Sequence, residues 1–361
     1  MNPSRWRLPR GSRLPRAFSA VLVSAATALA FGAPDPRADF LRLIDRPRVP
    51  LAAEADRVTS AEDGEEFRFS YATDSTQRVP GILLKPTGRE TRLPVVIALH
   101  GTGGSKQSML PLMHRLAARG FLAVAIDGRY HGERTRSGRG SAEYQDAILR
   151  AWHGAPEHPF FFDSVWDVGR LIDYLISRPD VDPDRIGVYG VSKGGIEAYL
   201  AAATDLRIAA AVPCIAVESF RWADDHDSWH SRIGTIQSAF DAAAKESGIE
   251  RPDGAFLHRF YDRVAPGLDG EFDGPAMVPL IAPRPLLTIN GDSDPRTPMP
   301  GLQECLANVR KAYHQEGADD RLLVRIQEKT GHRVNPDSEQ VAVDWFVRWL
   351  RPPEISASAG R

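Results

Sequence analysis

The feature that most constrains this chain is the stretch Ile186–Gly195, which reads IGVYGVSKGG. Ile186 to Tyr189 is typical of a buried strand, and the residues after Gly195, IEAYLAAAT, are typical of a helix. The Gly-x-Ser-x-Gly pattern at 190–194 places Ser192 at the sharp turn between them. Such a turn holds the seryl oxygen above a sheet as a nucleophile. Because the pattern is short, it needs partners elsewhere in the chain.

Strand-like and helix-like segments alternate along the rest of the sequence. The predicted strands at 95–99, 121–126, 186–189, 207–217, 286–290 and 322–326 are separated by predicted helices. Such alternation implies crossover connections, so we expect an α/β fold with a mostly parallel central sheet flanked by helices. Before this region, Glu66 to Lys85 predicts an antiparallel strand pair at a sheet edge.

The length and composition suit one large domain, which we place at 35–350. We predict a flexible tail at 351–361. The chain has 361 residues, of which 42% are hydrophobic. Residues 218–282 are too many for a simple connection, so we predict an inserted cap above the carboxyl ends of the strands. Within it, Trp222 and Trp229 are the predicted substrate contacts, with packing of the insertion onto the body as the alternative.

The first 34 residues differ from the rest of the chain. They contain five arginines and no acidic residue, and they end in an alanine-rich apolar run. This pattern predicts a secreted or periplasmic protein, with organelle targeting or a cytoplasmic enzyme with a misassigned start as alternatives. The apolar run is too short to favour a membrane span. The net charge of −2 without a long basic run argues against a nucleic-acid partner.

A nucleophilic serine needs a base and an orienting acid, and after a strand-turn-helix serine these follow in the order acid, then histidine. The acid candidates are Asp292 and Asp294, and the histidines beyond them are His314 and His332. His314 falls late in a predicted helix, whereas His332 follows a strand in a loop. We therefore predict His332 as the general base, with a pKa raised by its acid partner.

An acyl-transfer site also needs backbone donors for the oxyanion. The residue after the serine supplies one amide, that of Lys193. The apolar run VVIALHGTGGSK ends in a small-residue loop, where we choose the amide of Thr102 as the second donor. The alternative is a plain glycine-rich turn.

Several motifs occur in order: HGTGG, DGRYHGER, GVSKGG, NGDSDPRTP and GHRV. From about Phe67 to Leu350 the chain resembles the α/β-hydrolase superfamily, nearest to its dienelactone hydrolase, acetyl xylan esterase and prolyl oligopeptidase-like branch. The resemblance implies Asp294 as the acid rather than Asp292. It also implies that Asp127, Arg129 and His131 form a structural polar network. Lys193 stands where prolyl oligopeptidases generally have an aromatic residue, and no propeller domain precedes the hydrolase, which disfavours peptide cleavage.

The predicted function is a serine hydrolase that cleaves small-acyl or carbohydrate-linked carboxylic esters through Ser192, His332 and Asp294. A serine peptidase or amidase is the first alternative, and a non-catalytic binding protein of the same fold is the second. No cofactor is expected. No metal is expected either, although His226 and His230 are four residues apart, because no HExxH motif or cysteine pair accompanies them.

Overall fold

The computed structural model describes residues 35–352 apart from 62–63, 88–91 and 138–140. The predicted signal segment 1–34 and the tail from residue 353 onward lie outside the described residues. The described residues form a sheet with strand order β1-β2-β3-β5-β4-β6-β7-β8-β9. The strands are β1 (Glu54–Ala61), β2 (Gly64–Ala72), β3 (Arg78–Lys85), β4 (Leu93–Leu99), β5 (Leu122–Ile126), β6 (Val181–Val191), β7 (Ile208–Cys214), β8 (Leu286–Gly291) and β9 (Leu322–Gln327).

The sheet changes from antiparallel to parallel along its width. β1, β2 and β3 pair antiparallel, as do β3 and β5. From β5 onward every pairing is parallel, through β4, β6, β7 and β8 to β9. The predicted mostly parallel sheet and the predicted antiparallel pairing of β2 with β3 are thus confirmed. The predicted position of this pair at the sheet edge is wrong, because β1 pairs with β2 and forms the edge. Parallel strands end at one edge, so the loops after β4, β6, β8 and β9 emerge on the same side of the molecule.

The central strands are buried on both faces, which explains why they read as continuous apolar runs. All seven residues of β4 are buried. Val95 and Ile97 join one hydrophobic cluster, whereas Val96 and Ala98 join a second cluster. Because side chains alternate along a strand, the two clusters lie on opposite faces of the sheet.

Helices cover both clusters. Residues of α2 and α12 pack into the cluster of Val96, and residues of α4 and α5 pack into the cluster of Val95. Among the described residues, no helix has the length and apolar character needed to cross a lipid bilayer. The helices are α1 (Pro36–Ile44), α2 (Leu110–Ala117), α3 (Ser141–Trp152), α4 (Phe162–Ile176), α5 (Lys193–Thr204), α6 (Phe220–Asp225), α7 (His230–Ile233), α8 (Gln237–Glu246), α9 (Gly254–Val264), α10 (Gly274–Met277), α11 (Met299–Gln315) and α12 (Pro336–Leu350).

The segment 218–282, between β7 and β8, is helical and contains α6 to α10. Its interior is aromatic: the Phe240 ring lies 5.2 Å from the Phe256 and Phe260 rings, measured between centroids. Trp152 of α3 stacks on Phe260 at 5.7 Å. These contacts attach the segment to α3, which lies outside it. Its role as a substrate-selecting cap stays a prediction.

Candidate active site

Ser192 lies at a strained turn between β6 and α5. Its φ of 55° is in the left-handed region, which non-glycine residues rarely adopt. Two glycines make the turn possible. A Cβ on Gly190 would lie 2.0 Å from the Gly194 carbonyl oxygen, and one on Gly194 would lie 2.3 Å from the Leu99 carbonyl oxygen. The GVSKG pattern is therefore a steric requirement of this turn, and it places Ser192 at the carboxyl edge of the sheet.

A continuous hydrogen-bonded chain joins Ser192, His332 and Asp294. Nε2 of His332 lies 2.8 Å from the Ser192 Oγ, and its Nδ1 lies 2.8 Å from an Asp294 carboxylate oxygen. A carboxylate can only accept, so Nδ1 carries the proton and Nε2 is free to accept from the serine. The second Asp294 oxygen accepts from the Arg296 amide at 2.8 Å, which fixes the carboxylate plane.

The loop after β9 is held to the loop after β8 by Asp292. The Asp292 carboxylate accepts from the amides of Lys329 at 2.9 Å and Thr330 at 3.1 Å, which lie just before His332. Asp294, rather than Asp292, thus contacts the imidazole. Asp292 instead binds the backbone of the loop that carries His332. His314 lies on α11 with its side chain 82% exposed, where it contacts Asp319.

The net electrostatic environment of His332 differs from the sequence expectation. Burial lowers the pKa of His332, the hydrogen bond to Asp294 raises it, and the guanidinium charges of Arg232 and Arg296 lower it again. The pKa therefore lies below the ordinary 6.5. The contribution of Asp294 has the predicted sign, but the predicted net rise is wrong because burial and two arginines outweigh it.

Burial also acts on the acid. Burial raises the pKa of Asp294. The hydrogen bond and charge of His332 and the hydrogen bond from the Arg296 amide lower it by more, so the pKa lies below its usual value. Asp294 is consequently ionised at neutral pH and can hold the imidazole in the tautomer described above.

The two amides predicted as oxyanion donors belong to neighbouring segments. Lys193 begins α5, so its N–H has no acceptor within its own helix. The Thr102 loop follows β4, which pairs with β6, and a Cβ on Gly101 would lie 3.6 Å from the Ser192 Cβ. The loop therefore packs directly against the serine turn. The assignment of both amides to an oxyanion hole stays a prediction.

His100 binds the backbone of the loop that contains Thr102 and the backbone of the loop after β5. Its Nδ1 lies 2.8 Å from the Gly101 carbonyl oxygen, and its Nε2 accepts from the Gly128 amide at 3.0 Å. Burial and the charge of Lys193 lower the pKa of His100 to about 4, so it is neutral at physiological pH. His100 is thus a satisfied structural histidine beside the site.

The side chain of Lys193 points into the protein. It is buried and forms an ion pair with Glu197 one helical turn later in α5. Burial raises the pKa of Glu197, although the Lys193 ammonium partly offsets this. Sequence reasoning identified the Lys193 amide but missed this pair, although the i,i+4 spacing of Lys193 and Glu197 was a signal for it.

Asp127, Arg129 and His131 do not join the serine chain. Asp127 accepts from the Lys106 amide at 2.8 Å, Arg129 bonds to Asp167 at 3.0 Å, and the His131 Nδ1 lies 2.7 Å from the Arg129 carbonyl oxygen. All three predicted network residues are buried. Their contacts are consistent with the structural role implied by the resemblance.

Trp222 and Trp229 both contact protein side chains. Trp229 is 5% exposed and stacks on His230 at 3.5 Å, and its ring lies 5.5 Å from that of Phe240. Trp222 is half-buried and stacks on His226 at 4.4 Å. Their predicted contact with substrate stays a prediction. Among the described residues, no group of three or more His, Cys, Asp or Glu side chains is arranged to hold a metal ion.

Comparison with known proteins finds sequences similar to this chain. The model of the family Acetyl xylan esterase (AXE1) matches residues 48–220, a range that includes Ser192 and ends before Asp294. "Putative hydrolase YtaP" of Bacillus subtilis (strain 168) is 27% identical over 319 residues, which cover 84% of this chain and 94% of the relative.

Solved structures agree in fold. Acetyl xylan esterase 1 from Thermoanaerobacterium sp. JW/SL YS485 aligns with a TM-score of 0.63 at 18% identity, over 88% of this chain and 94% of that one. An acetyl xylan esterase from Paenibacillus sp. R4 also aligns with a TM-score of 0.63, at 20% identity over 87% of this chain and 93% of that one.

The strand order, the serine turn after β6 and these alignments show that the chain has the α/β-hydrolase fold. The acetyl xylan esterase match over residues 48–220 is consistent with the branch predicted from its motifs, the dienelactone hydrolase, acetyl xylan esterase and prolyl oligopeptidase-like group. With the acetyl xylan esterase match, the chain is a carboxylic ester hydrolase. The predicted fold class and enzyme class are thereby confirmed.

Proposed function

We propose that the protein is a serine esterase in which Ser192 is the nucleophile, His332 the general base and Asp294 the orienting acid. The observation that carries this proposal is the hydrogen-bonded chain of these three side chains, with 2.8 Å at each of its two links. The strained backbone at Ser192 supports it, because strain of this kind persists where the surrounding structure enforces it, often at functional sites.

In the proposed reaction the Ser192 Oγ attacks the ester carbonyl carbon while the His332 Nε2 takes its proton. The amides of Lys193 and Thr102 donate to the resulting oxyanion. The C–O bond to the alcohol then breaks, and the alcohol leaves with the proton from His332. The His332 Nε2 then takes a proton from water, which attacks the acyl carbon. The bond from this carbon to the Ser192 Oγ breaks, Oγ takes the proton back from His332, and the carboxylic acid leaves.

For the substrate we propose small-acyl esters, including acetyl groups on carbohydrates. The match to the acetyl xylan esterase family supports this choice. Release of the protein to the periplasm or the exterior, proposed from residues 1–34, would give it access to such substrates.

The test compares three substrates with the full-length enzyme: an acetylated xylo-oligosaccharide, p-nitrophenyl acetate and a peptide amide, each with Ser192→Ala as the blank. We expect hydrolysis of both esters, little of the amide, and loss of nearly all ester turnover in the variant. Faster amide than ester turnover would instead favour the peptidase alternative. Ester turnover by Ser192→Ala above about a hundredth of the wild-type rate would remove Ser192 as the nucleophile.

A further inference from the structure

A cavity of about 240 Å³ lies at the amino end of β7, away from the serine chain. It is lined by residues of α1 and the segment after it, by α4, by the end of α5 and by residues 205–207, which lead into β7. Ser192 precedes α5, whereas the cavity adjoins the other end of this helix. Because the 12 residues of α5 rise about 18 Å, the cavity is separate from the candidate active site.

Much of the cavity wall is apolar. Two of its leucines reach into solvent, since Leu206 is 63% exposed and Leu41 is 42% exposed. Single exposed leucines are common on protein surfaces, but two on one cavity form an apolar surface that a ligand can cover. The other apolar side chains of the wall are Ile44, Val165, Trp166 and Ala201.

Gly169 also lines the cavity, and its missing side chain leaves space there. It lies in the middle of α4, where glycine is less favourable than alanine. Beyond the backbone of the helix itself, a Cβ at this position would meet no atom within 4 Å. Close packing therefore gives no reason for a glycine here, whereas an open cavity does.

Three arginines of the cavity wall share one aspartate. Asp173 accepts from Arg48 at 2.8 Å and from Arg170 at 2.7 Å. It also accepts from Arg207 at 2.8 Å, and Arg207 pairs in addition with Asp205. Among these five side chains one positive charge is in excess. The charge of the wall therefore favours an anionic ligand.

Arg170 has a hydrogen-bond donor without an acceptor. It is 5% exposed, its Nη1 donates to Asp173, and its Nη2 donates to the Val49 carbonyl oxygen. Its Nε has no acceptor among the described residues. Buried donors are nearly always bonded, so the acceptor has to come from solvent or from a ligand. A carboxylate suits this position, because hydrogen bonds between guanidinium and carboxylate groups are strong and directional.

We propose that this cavity binds an organic carboxylate with an apolar body. The apolar body packs against Leu41 and Leu206, and the carboxylate accepts hydrogen bonds from Arg170. The cavity suits a ligand smaller than the drug-sized molecules that occupy pockets of about 300–1,000 Å³. The proposal does not depend on the proposed esterase activity, since none of the residues involved contacts Ser192, His332 or Asp294.

The test is isothermal titration of the full-length protein with 3-phenylpropanoate and with its neutral analogue 3-phenylpropanol. We expect one site with a Kd of about 1 mM or lower for the carboxylate, and binding of the alcohol that is about tenfold weaker or less. Acetate, which has the charge without the apolar body, should also bind about tenfold more weakly. Equal affinity for the carboxylate and the alcohol would overturn the inference. Absence of carboxylate binding would mean that solvent alone occupies the cavity, and would overturn it too.

Variants locate the binding at this cavity. Gly169→Leu fills it and should weaken carboxylate binding at least about tenfold without lowering Tm, because leucine is favourable in a helix. Leu206→Asp places a like charge beside the ligand and should weaken binding as well. Leu323→Asp is the matched control, since Leu323 is an exposed leucine on β9, outside the cavity, and it should leave the affinity unchanged. Arg170→Met should remove the preference for the carboxylate over the alcohol.

Unchanged affinity in folded Gly169→Leu would overturn the inference, because the ligand would then lie elsewhere. If Arg170→Met does not fold, Gly169→Leu and Leu206→Asp decide the question. Sedimentation velocity of the ligand-free protein tests the other occupant, a second copy of this chain. A dimer that Leu206→Asp dissociates and Leu323→Asp does not would assign the cavity to that contact and overturn the inference. A monomer in all three proteins supports it.

Discussion

The carboxyl edge of the sheet, formed by the ends of β6, β8 and β9 and the loops that follow them, and the inserted segment 218–282 contribute to the candidate site in different ways. On the sheet edge, Ser192, Asp294 and His332 each follow the end of a strand, and backbone geometry fixes their positions. In the insertion, aromatic packing dominates, and the charge of Arg232, which is buried in an ion pair with Glu218, lowers the pKa of His332. The carboxyl edge of the sheet therefore supplies the proposed catalytic side chains. The insertion changes the pKa of the proposed base through a charge outside the hydrogen-bonded chain.

The largest difference expected along the sheet edge is between its two aspartates. Asp294→Asn should lower kcat by about 10⁴-fold, because the neutral amide no longer holds the imidazole in the required tautomer. Asp292→Asn keeps Asp294 in place and should cost far less, since the Asp292 carboxylate bonds to the loop backbone and Ser293 among the described residues. Steady-state kinetics on p-nitrophenyl acetate checks this. The opposite ranking would shift the proposed acid two residues upstream.

A second prediction concerns the stability of the edge itself. Glu197→Gln leaves the buried Lys193 ammonium without its anionic partner and should destabilise the fold by about 3–5 kcal/mol in chemical denaturation. Lys193→Met should cost less, since Glu197 can take up a proton. Because burial raises the pKa of Glu197 above 4.5, the folded variant binds the extra proton and loses stability as pH rises from there. A stability of Lys193→Met that is independent of pH would contradict this assignment.

Sequence reasoning was strongest where local geometry decides the structure. The serine turn requires glycines at 190 and 194, so its pattern is visible in any chain that forms it. The strand β1 was missed because EADRVTSA has no apolar alternation and forms by pairing with β2. The helix α3 was also missed, although Tyr144 and Ile148 on its buried face are four residues apart.

The effect of Arg232 on the pKa of His332 could not be predicted from the sequence, for a different reason. Arg232 and Glu218 are 14 residues apart in a segment with no regular period, so only the tertiary fold brings them together. The net pKa of His332 depends on that contact and on burial, neither of which a motif records. The proposed base could therefore be chosen from sequence, but the direction of its pKa shift could not.

A third prediction tests the environment of His332 as a whole. Its pKa is lowered, so the neutral imidazole persists to more acidic pH than an unperturbed one. We expect kcat/KM to be constant from pH 8 downward and then to fall about tenfold per pH unit, with a midpoint below 6.5. A pH series with an acetyl ester checks this. A midpoint above 6.5 would mean that Asp294 outweighs burial and both arginines.

The smallest effects are expected in the insertion. Trp222→Ala should change the preference between short and long acyl esters by about tenfold, with little change in kcat on p-nitrophenyl acetate. Trp229 is more deeply buried, and its replacement provides the comparison. A panel of acyl esters with thermal melting of both variants separates the roles. If each variant slows all esters by one common factor and lowers Tm, both tryptophans are packing residues.

The most direct test of the proposed serine mechanism is covalent labelling of the full-length protein with a fluorophosphonate, followed by peptide mass spectrometry. The account predicts one rapid adduct, on Ser192, that is absent in Ser192→Ala and much slower to form in His332→Ala, because phosphonylation requires the same activated oxygen. A rapid adduct on a different residue, or active enzyme that takes no label at Ser192, would contradict it.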